Sequence, residues 1–422
     1  MTLSSYWRLV RDNRNFRLLW FAQIVSEMGD WFYSVAIFSF LLELTGSARM
    51  VSYAFMMQVL PQVITSPMAG VLNDRISRKK IMIFADWARA AIVLTMLLVR
   101  SRDSLWLLFT LLFLETVCWA LFEPGSRAVI PNIVSGENIA IANALAATTW
   151  SINFALGAAI GGAVAVAFGR STVFILDSLT FVASALLISR MRFTEPHSEN
   201  RPTLRVRELF DFRPITDGWR YIARDRRLLA TICVKGGFGL MGTNWVILPV
   251  LGERVFPVRL GSMSAEQAGT LGMSTLLASR GAGAILGAFF SGRFAGTDRR
   301  KLRIAILAGF FMAVAGYLGL SVAPMLGIAV LTLLVAHAGG SSGWTSSTTL
   351  LQDLTEDAFR GRVFSAEFAF TMLTLAAASF TAGQLVDGGV AVRTVAAGTG
   401  LVMLLPALLW IGASRVWKHE TK

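Results

Sequence analysis

Charge is what this sequence has least of. Only 15% of its 422 residues are Asp, Glu, Lys or Arg, against roughly 25% in soluble domains, and the mean hydropathy is +0.59. This excludes an ordinary soluble protein and also a disordered chain, which stays unfolded by being polar and charged. Cysteine is scarcer still. Cys118 and Cys233 are the whole complement, both in apolar runs; they exclude a disulfide scaffold and read as small buried hydrophobes rather than redox or metal groups. Of three histidines, His197 and His419 lie in polar segments and only His337 in an apolar one. The sequence has no His-Glu-x-x-His, no Ser-His-Asp arrangement, no phosphate loop and no cysteine cluster. The expectation is therefore no enzyme, no metal site and no cofactor.

What fills the chain instead is a series of apolar stretches of membrane-spanning length. Twelve can be drawn, at 16–42, 48–72, 81–99, 105–123, 139–168, 171–190, 228–252, 267–291, 303–323, 325–350, 363–386 and 392–414. Runs this long must satisfy their own backbone hydrogen bonds in lipid, so each is expected to be a helix; the alternation of β-barrel strands is missing. The expected fold is an all-α membrane protein with twelve transmembrane helices. The net charge of +13 does not point to nucleic acid, because the basic residues lie between apolar runs rather than on one soluble face. With the N-terminus inside, and residues at span ends counted with the side they adjoin, 29 Lys and Arg fall on the cytoplasmic side, seven on the other, and three deeper within spans. This bias puts both termini in the cytoplasm of a cell with the chain in its inner or plasma membrane. Ser77 and Asn200 are then expected inside, and Ser262 outside. The basic start Met1–Arg17 runs straight into an apolar segment of spanning length, so no cleavable leader is expected.

One segment breaks the pattern. Residues 193–226 are charged, contain Pro196, Pro202 and Pro214, and end in Ile215–Arg227, where Trp219, Tyr221 and Ile222 alternate with arginines. This reads as a cytoplasmic linker with an amphipathic helix at the membrane surface. It divides the chain into an N-terminal bundle (1–192) and a C-terminal bundle with a short tail (227–422). The halves echo each other. Gly70 to Lys80 after span 2 parallels Gly287 to Lys301 after span 8, and Ile130-Pro131-Asn132 after span 4 parallels Leu351-Gln352-Asp353 after span 10, at offsets of 217 and 221. Spans 1 and 7 both open on Arg-Leu-Leu, at Arg17 and Arg227. Such offsets predict two pseudo-symmetric six-helix bundles, an arrangement that in transporters carries a central site between halves.

These residues also carry a resemblance. Gly70-x-x-x-Asp74-Arg75-x-x-Arg78-Lys79 resembles the loop 2–3 signature of the major facilitator superfamily. Arg17-Leu-Leu-Trp20, Ser26-Glu-Met-Gly29-Asp30-Trp31, Ala142-Asn143-Ala144-Leu145 and Arg360-Gly361-Arg362-Val363-Phe364-Ser365 look like its drug-exporter branch, which contains macrolide-efflux proteins and the enterobactin exporter. The resemblance implies export by alternating access, with Gly70, Asp74, Arg75, Arg78 and Lys79 as a cytoplasmic gate, Asp74 meeting the start of span 11 and Arg78 reaching Glu123. Two features depart from the antiporter pattern. Span 5 has Gly157, Gly161 and Gly162 but no Gly-Pro pair, and Trp106 through Phe113 lack the basic residue many drug antiporters place there. No proton relay on that residue is carried over.

Ionisable residues inside spans are costly unless paired or facing water, which makes them informative. Gln23, Glu27, Asp30 and Ser34 follow spacings of 4, 3 and 4, forming one polar face of span 1. Two carboxylates one turn apart repel, so one is expected to exchange a proton near neutral pH. Glu115 in span 4 and Glu367 in span 11 are further cavity or relay candidates, with Lys235 and Arg280 as the expected counter-ions. Arg89 and Asp177 lie closer to span ends and read as packing residues. Trp31, Tyr33, Trp119, Trp150, Asn153 and the run His337 to Trp344 add aromatic and small polar surface. An apolar cavity with a few fixed charges suits a bulky amphiphile better than a sugar. The expected function is proton-coupled antiport of a drug-like amphipathic small molecule, with protons and membrane lipids as the other partners. A siderophore or lipid exporter on the same scaffold, or a non-transporting receptor or assembly factor, remains the alternative.

Overall fold

The computed structural model describes residues 3–134, 136, 138–195, 209 and 211–413. Pro196, His197, Asn200, Pro202 and His419 lie outside the described residues. Among the described residues every regular element is a helix. The first set is α1 (Leu3–Asp12), α2 (Arg14–Thr45), α3 (Ala48–Arg75), α4 (Arg78–Thr95), α5 (Leu105–Ile133), α6 (Asn138–Phe168) and α7 (Arg170–Ser189). Then come α8 (Arg213–Ile222), α9 (Arg226–Gly239), α10 (Asn244–Arg254), α11 (Ala265–Ala295), α12 (Arg299–Val322), α13 (Leu326–Leu354), α14 (Asp357–Asp387), α15 (Val392–Val402) and α16 (Leu404–Ala413).

Among the described residues ten helical stretches are long and apolar enough to cross a membrane by length and composition, α15 and α16 counting as one. The chain is a multi-pass membrane protein. Two of the twelve expected spans are not among the ten. One is α2, whose middle carries the polar stripe from Gln23 to Ser34. The other is the 226–254 region, which a 3₁₀ turn at Leu240–Thr243 divides into helices of 14 and 11 residues. The turn follows from a glycine run, Gly236, Gly237, Gly239 and Gly242, in which helix propensity is lowest. The α15–α16 break falls at Met403, just ahead of Pro406, whose ring does not fit behind a continuing helix.

The helices turn large apolar side chains outward. On α4, Phe84, Trp87 and Leu94 are exposed while Ile81, Ala85, Asp86, Arg89 and Val93 are buried. This inversion of the soluble pattern is what a lipid surround requires: apolar groups meet acyl chains and polar groups meet one another.

Two compact units make up the chain, residues 1–40 with 57–211, and residues 41–56 with 212–422. In the first, Phe16, Leu19, Met82, Phe122 and Ile130 form a core at the α4 start and α5 end, which Leu9 and Val10 of α1 join. At ten residues α1 is too short to span a membrane. The α5 helix runs ten residues beyond the expected span, through Pro124 and Pro131. In the second unit, α12 and α13 meet at Gly309 and Gly339, each backed by the other's carbonyl. The apolar face of α8 packs on protein: Ile222 is buried, Tyr221 stacks on Phe359 at 4.4 Å, and Trp219 meets Phe370 edge-on at 5.5 Å. Gly218 makes this possible, since a Cβ there would run into the Arg362 carbonyl.

Candidate functional site

In the first unit the polar stripe of α2 faces the protein interior. Gln23 Nε2 donates to Ser126 Oγ at 3.4 Å, Asn153 Nδ2 donates to Glu27 Oε2 at 3.1 Å, and the Ser34 hydroxyl returns to the Asp30 carbonyl at 2.8 Å. Asp30 forms an ion pair with Arg89 of α4. The same guanidinium donates through Nε to Glu115 Oε1 of α5 at 2.8 Å and lies 3.9 Å from Asp86. Its flat face covers the Phe181 ring of α7 at 4.0 Å. Tyr33 OH donates to the other Glu115 oxygen at 3.1 Å. Arg89 is therefore no end-of-span packing residue. It is 1% exposed and holds three helices' carboxylates together.

Asp177 of α7 completes the arrangement. It is fully buried, with Oδ1 taking the Thr180 hydroxyl at 3.3 Å. The close approach of α7 to α2 depends on Gly29, next to Asp30, because a Cβ at that position would collide with Asp177 Oδ1 and Thr180 Oγ1. Beside the stripe, Trp31, Trp150 and Phe154 form an aromatic trio with ring centres 4.2 to 6.1 Å apart, and Trp150 is exposed.

In the second unit Lys235 of α9 is buried, with Nζ 3.5 Å from Glu367 Oε1 of α14, donating to Thr348 Oγ1 at 2.5 Å and sitting 3.8 Å over the Trp344 ring of α13. Lys235 is thus the counter-ion of Glu367, as expected, but Glu115 takes Arg89 instead. Arg280 of α11 lies 4.2 Å over Trp245, whose ring also stacks on Phe55 at 4.8 Å. His337 Nε2 and Tyr317 OH are 3.5 Å apart.

The loop between α3 and α4 is a knot of helix ends. Arg78 donates to the Ala128 carbonyl at 2.7 Å and to Asn132 Oδ1 at 3.3 Å, and Lys79 to the Ser189 and Met191 carbonyls at 2.8 and 2.7 Å. Arg78 thus ties the loop to the last turns of α5, and Lys79 satisfies the orphan carbonyl of Ser189 at the end of α7. Glu195 and Ser77 cap the start of α4. The expected Arg78–Glu123 pair is not formed: Glu123 pairs with Arg127 one turn along α5 at 2.7 Å, the nearer cation on its own helix. Asp74 is largely exposed, 3.9 Å from Arg78. At Gly70 nothing stands within 4 Å of a Cβ, and Arg75 is the last residue of α3. In the second unit Arg299 donates to Asp353 at 2.5 Å. The same offset of 221 relates Arg78 to Arg299 and Asn132 to Asp353, so the two halves carry equivalent contacts at equivalent positions.

Sequence reasoning missed Asp86, Arg89 and Asp177 as members of the charged cluster. The available signal was the Asp86-x-x-Arg89 spacing, which puts both charges on one face of an otherwise apolar helix.

A family model described as transmembrane secretion effector matches residues 5–421. Among curated relatives, macrolide efflux protein A of Streptococcus pyogenes is 26% identical over 368 residues, covering 85% of each chain. The uncharacterized MFS-type transporter YfiS of Bacillus subtilis is 27% identical over 411 residues, 94% of this chain and 93% of that one. Among solved structures, a POT family transporter in complex with 5-aminolevulinic acid superposes with a TM-score of 0.76 at 11% identity, over 96% of this chain and 97% of that one. The nucleoside transporter NupG, as its D323A mutant, gives 0.71 at 12% identity over 94% and 99%. At such identities these likenesses speak for the fold alone. The family match over nearly the whole length, with efflux proteins among the relatives, makes the chain a member of the transmembrane secretion effector family within the major facilitator superfamily.

Proposed function

We propose that this protein is a secondary active exporter of bulky, amphipathic small molecules, driven by inward proton flow through alternating access of its two six-helix halves. The single observation that carries the reading is the buried set of carboxylates reached from the α2 stripe. Glu27 and Asp30 sit one turn apart, and Asp30 shares the Arg89 guanidinium with Glu115. Carboxylates in an apolar interior that outnumber their cation do not all stay ionised, so the number of protons bound changes when a cationic ligand arrives or leaves. Proton and substrate then compete for the same groups, and no separate wire between them is needed. The exposed Trp150 beside the stripe offers a flat apolar surface for the rest of an amphiphile. The likeness to macrolide efflux protein A supports efflux of a drug-like compound. The same reading takes Asp74 as a gating residue, since its carboxylate has little to hold it within its own unit. It also places the chain in the inner or plasma membrane with both termini cytoplasmic.

The test is transport by the purified protein in proteoliposomes, using a macrolide and a panel of cationic dyes with and without an imposed pH gradient. Gradient-driven accumulation of at least one compound is expected. Transport indifferent to the gradient contradicts the coupling, and no transport of any compound contradicts the substrate class. For the topology, a cysteine introduced at Ser77 is expected to react with an impermeant reagent only from the cytoplasm and one at Ser262 only from outside; cytoplasmic labelling of Ser262 contradicts it.

A further inference from the structure

The Arg89 cluster holds more acid than the α2 stripe accounts for. Four carboxylates from four helices surround one guanidinium: Asp30 of α2, Asp86 of α4, Glu115 of α5 and Asp177 of α7. Asp30 and Glu115 take the direct ion-pair contacts. One positive charge is thereby already shared between two anions. Asp86 and Asp177 are both 0% exposed. Asp86 has only the Ser184 hydroxyl of α7 beside it and an Arg89 nitrogen standing off at 3.9 Å, and Asp177 Oδ2 has no hydrogen-bond partner. The groups facing the pair are few. They are Asp30 and Tyr33 from α2, Glu115 from α5 and Thr180 on α7 itself around Asp177, and Ser184 from α7 beside Asp86, with Arg89 near both. Among the described residues Arg89 is the sole cation of the cluster.

An ionised carboxylate has about four acceptor sites to satisfy, and one buried without donors or a cation is among the costliest groups a protein can hold. A neutral carboxylic acid in the same place forfeits far less. Gly29 strengthens the point. By leaving room for Asp177 against α2, it packs a fourth carboxylate beside Asp30 where an alanine would have pushed α7 away.

We infer that Asp86 and Asp177 form a second proton-binding site, distinct from Glu27 on the α2 stripe, in which both side chains are neutral acids while Asp30 and Glu115 hold Arg89. The ligand of this site is the proton. Its use in transport rests on the proton-coupled reading above, in which it would let more than one proton cross for each substrate expelled. Its occupancy does not rest on that reading. When Arg89 is drawn away from Asp30 or Glu115, the charge balance of the cluster changes and the acid pair is where protons are released or taken up.

Infrared difference spectroscopy on the full chain in proteoliposomes, with ¹³C-labelled aspartate to separate Asp from Glu, reads the protonation state without any substrate. Wild type is expected to show absorption from protonated aspartyl carboxyls at neutral pH. Asp86→Asn and Asp177→Asn are each expected to remove one component and the double variant the whole. Asn has nearly the shape and neutrality of the protonated acid, so these variants are expected to remain folded, as monodispersity in gel filtration checks. A double variant that fails to fold shows that the carboxyls are not replaceable by neutral groups, which contradicts the inference. So does the absence of the aspartyl band at neutral pH, or a band that survives in both single variants. A band that behaves as expected in a protein whose transport ignores the pH gradient supports the site and sinks the coupling, so the two failures are separable.

Discussion

The two units bury opposite kinds of charge. The first surrounds one arginine with four carboxylates; the second buries two cations, Lys235 and Arg280, each laid over a tryptophan, with Glu367 as the acid that pairs with Lys235. An excess of buried acid is relieved by binding protons. A buried cation on an aromatic face is partly compensated by the ring quadrupole and needs no proton to be tolerated. Under the proposed function the two units divide the labour, with proton exchange in the first and fixed positive charge in the second. The difference also places the cost of a mutation differently in each half.

The largest effect is expected at Arg89. Arg89→Leu leaves Asp30 and Glu115 buried without their cation and is expected to cost about 3–5 kcal/mol, read as a large fall in melting temperature or as failure to accumulate in the membrane. A stable Arg89→Leu protein would break the comparison, because the acids would then be paired some other way. In the second unit Lys235→Met is expected to be destabilising alone, whereas Lys235→Met with Glu367→Gln is expected to recover most of the loss, since a buried ion pair replaced by neutral groups is often nearly neutral in energy. A double variant no better than the single would show that Trp344 and Thr348, rather than Glu367, hold the lysine. Gly29→Ala is expected to force α7 from α2 at about 1–3 kcal/mol, with transport reduced further than stability. Asp74→Asn is expected to change stability by less than about 0.5 kcal/mol, as an exposed site should, while suppressing transport; wild-type transport rates in that variant would remove Asp74 from the gate. The smallest effect is expected at Asp225, which caps α9. Its bonds from Arg227 hold the carboxyl below its usual range, so its contribution is present above about pH 4 and is lost as pH falls below that. Solvent screening keeps it under about 1 kcal/mol, measurable as a slightly steeper acid loss of stability in wild type than in Asp225→Ala.

Most of the helical layout was legible because apolar length is a direct physical demand of the bilayer. The expected ends at 48, 105, 139, 171 and 392 fall within one residue of the observed helix starts. Helix parts that obey other demands were not legible in this way. Residues 124–133 of α5 continue as helix where composition had turned polar, and the break in 226–254 follows from glycines packed against α14, as Gly242 is against Leu375. The polar stripe of α2 was readable from its 4-3-4 spacing. Its partner was not, because spacing along one helix says nothing about which other helix supplies the cation. Arg89 and Asp177 acquire their meaning only when α4 and α7 pack together. Glu123 is the opposite case: its cation, Arg127, stands one turn along its own helix, a spacing the sequence shows directly.

The central claim is that carboxylates of the first unit carry the coupling proton. The most direct measurement is the affinity of a transported cationic compound as a function of pH, in wild type, Glu27→Gln, Asp30→Asn and the double variant. The account predicts that wild-type affinity rises with pH, as protons cease to compete, and that at least one single variant loses this dependence. A pH dependence that survives unchanged in both single variants and in the double variant would contradict it.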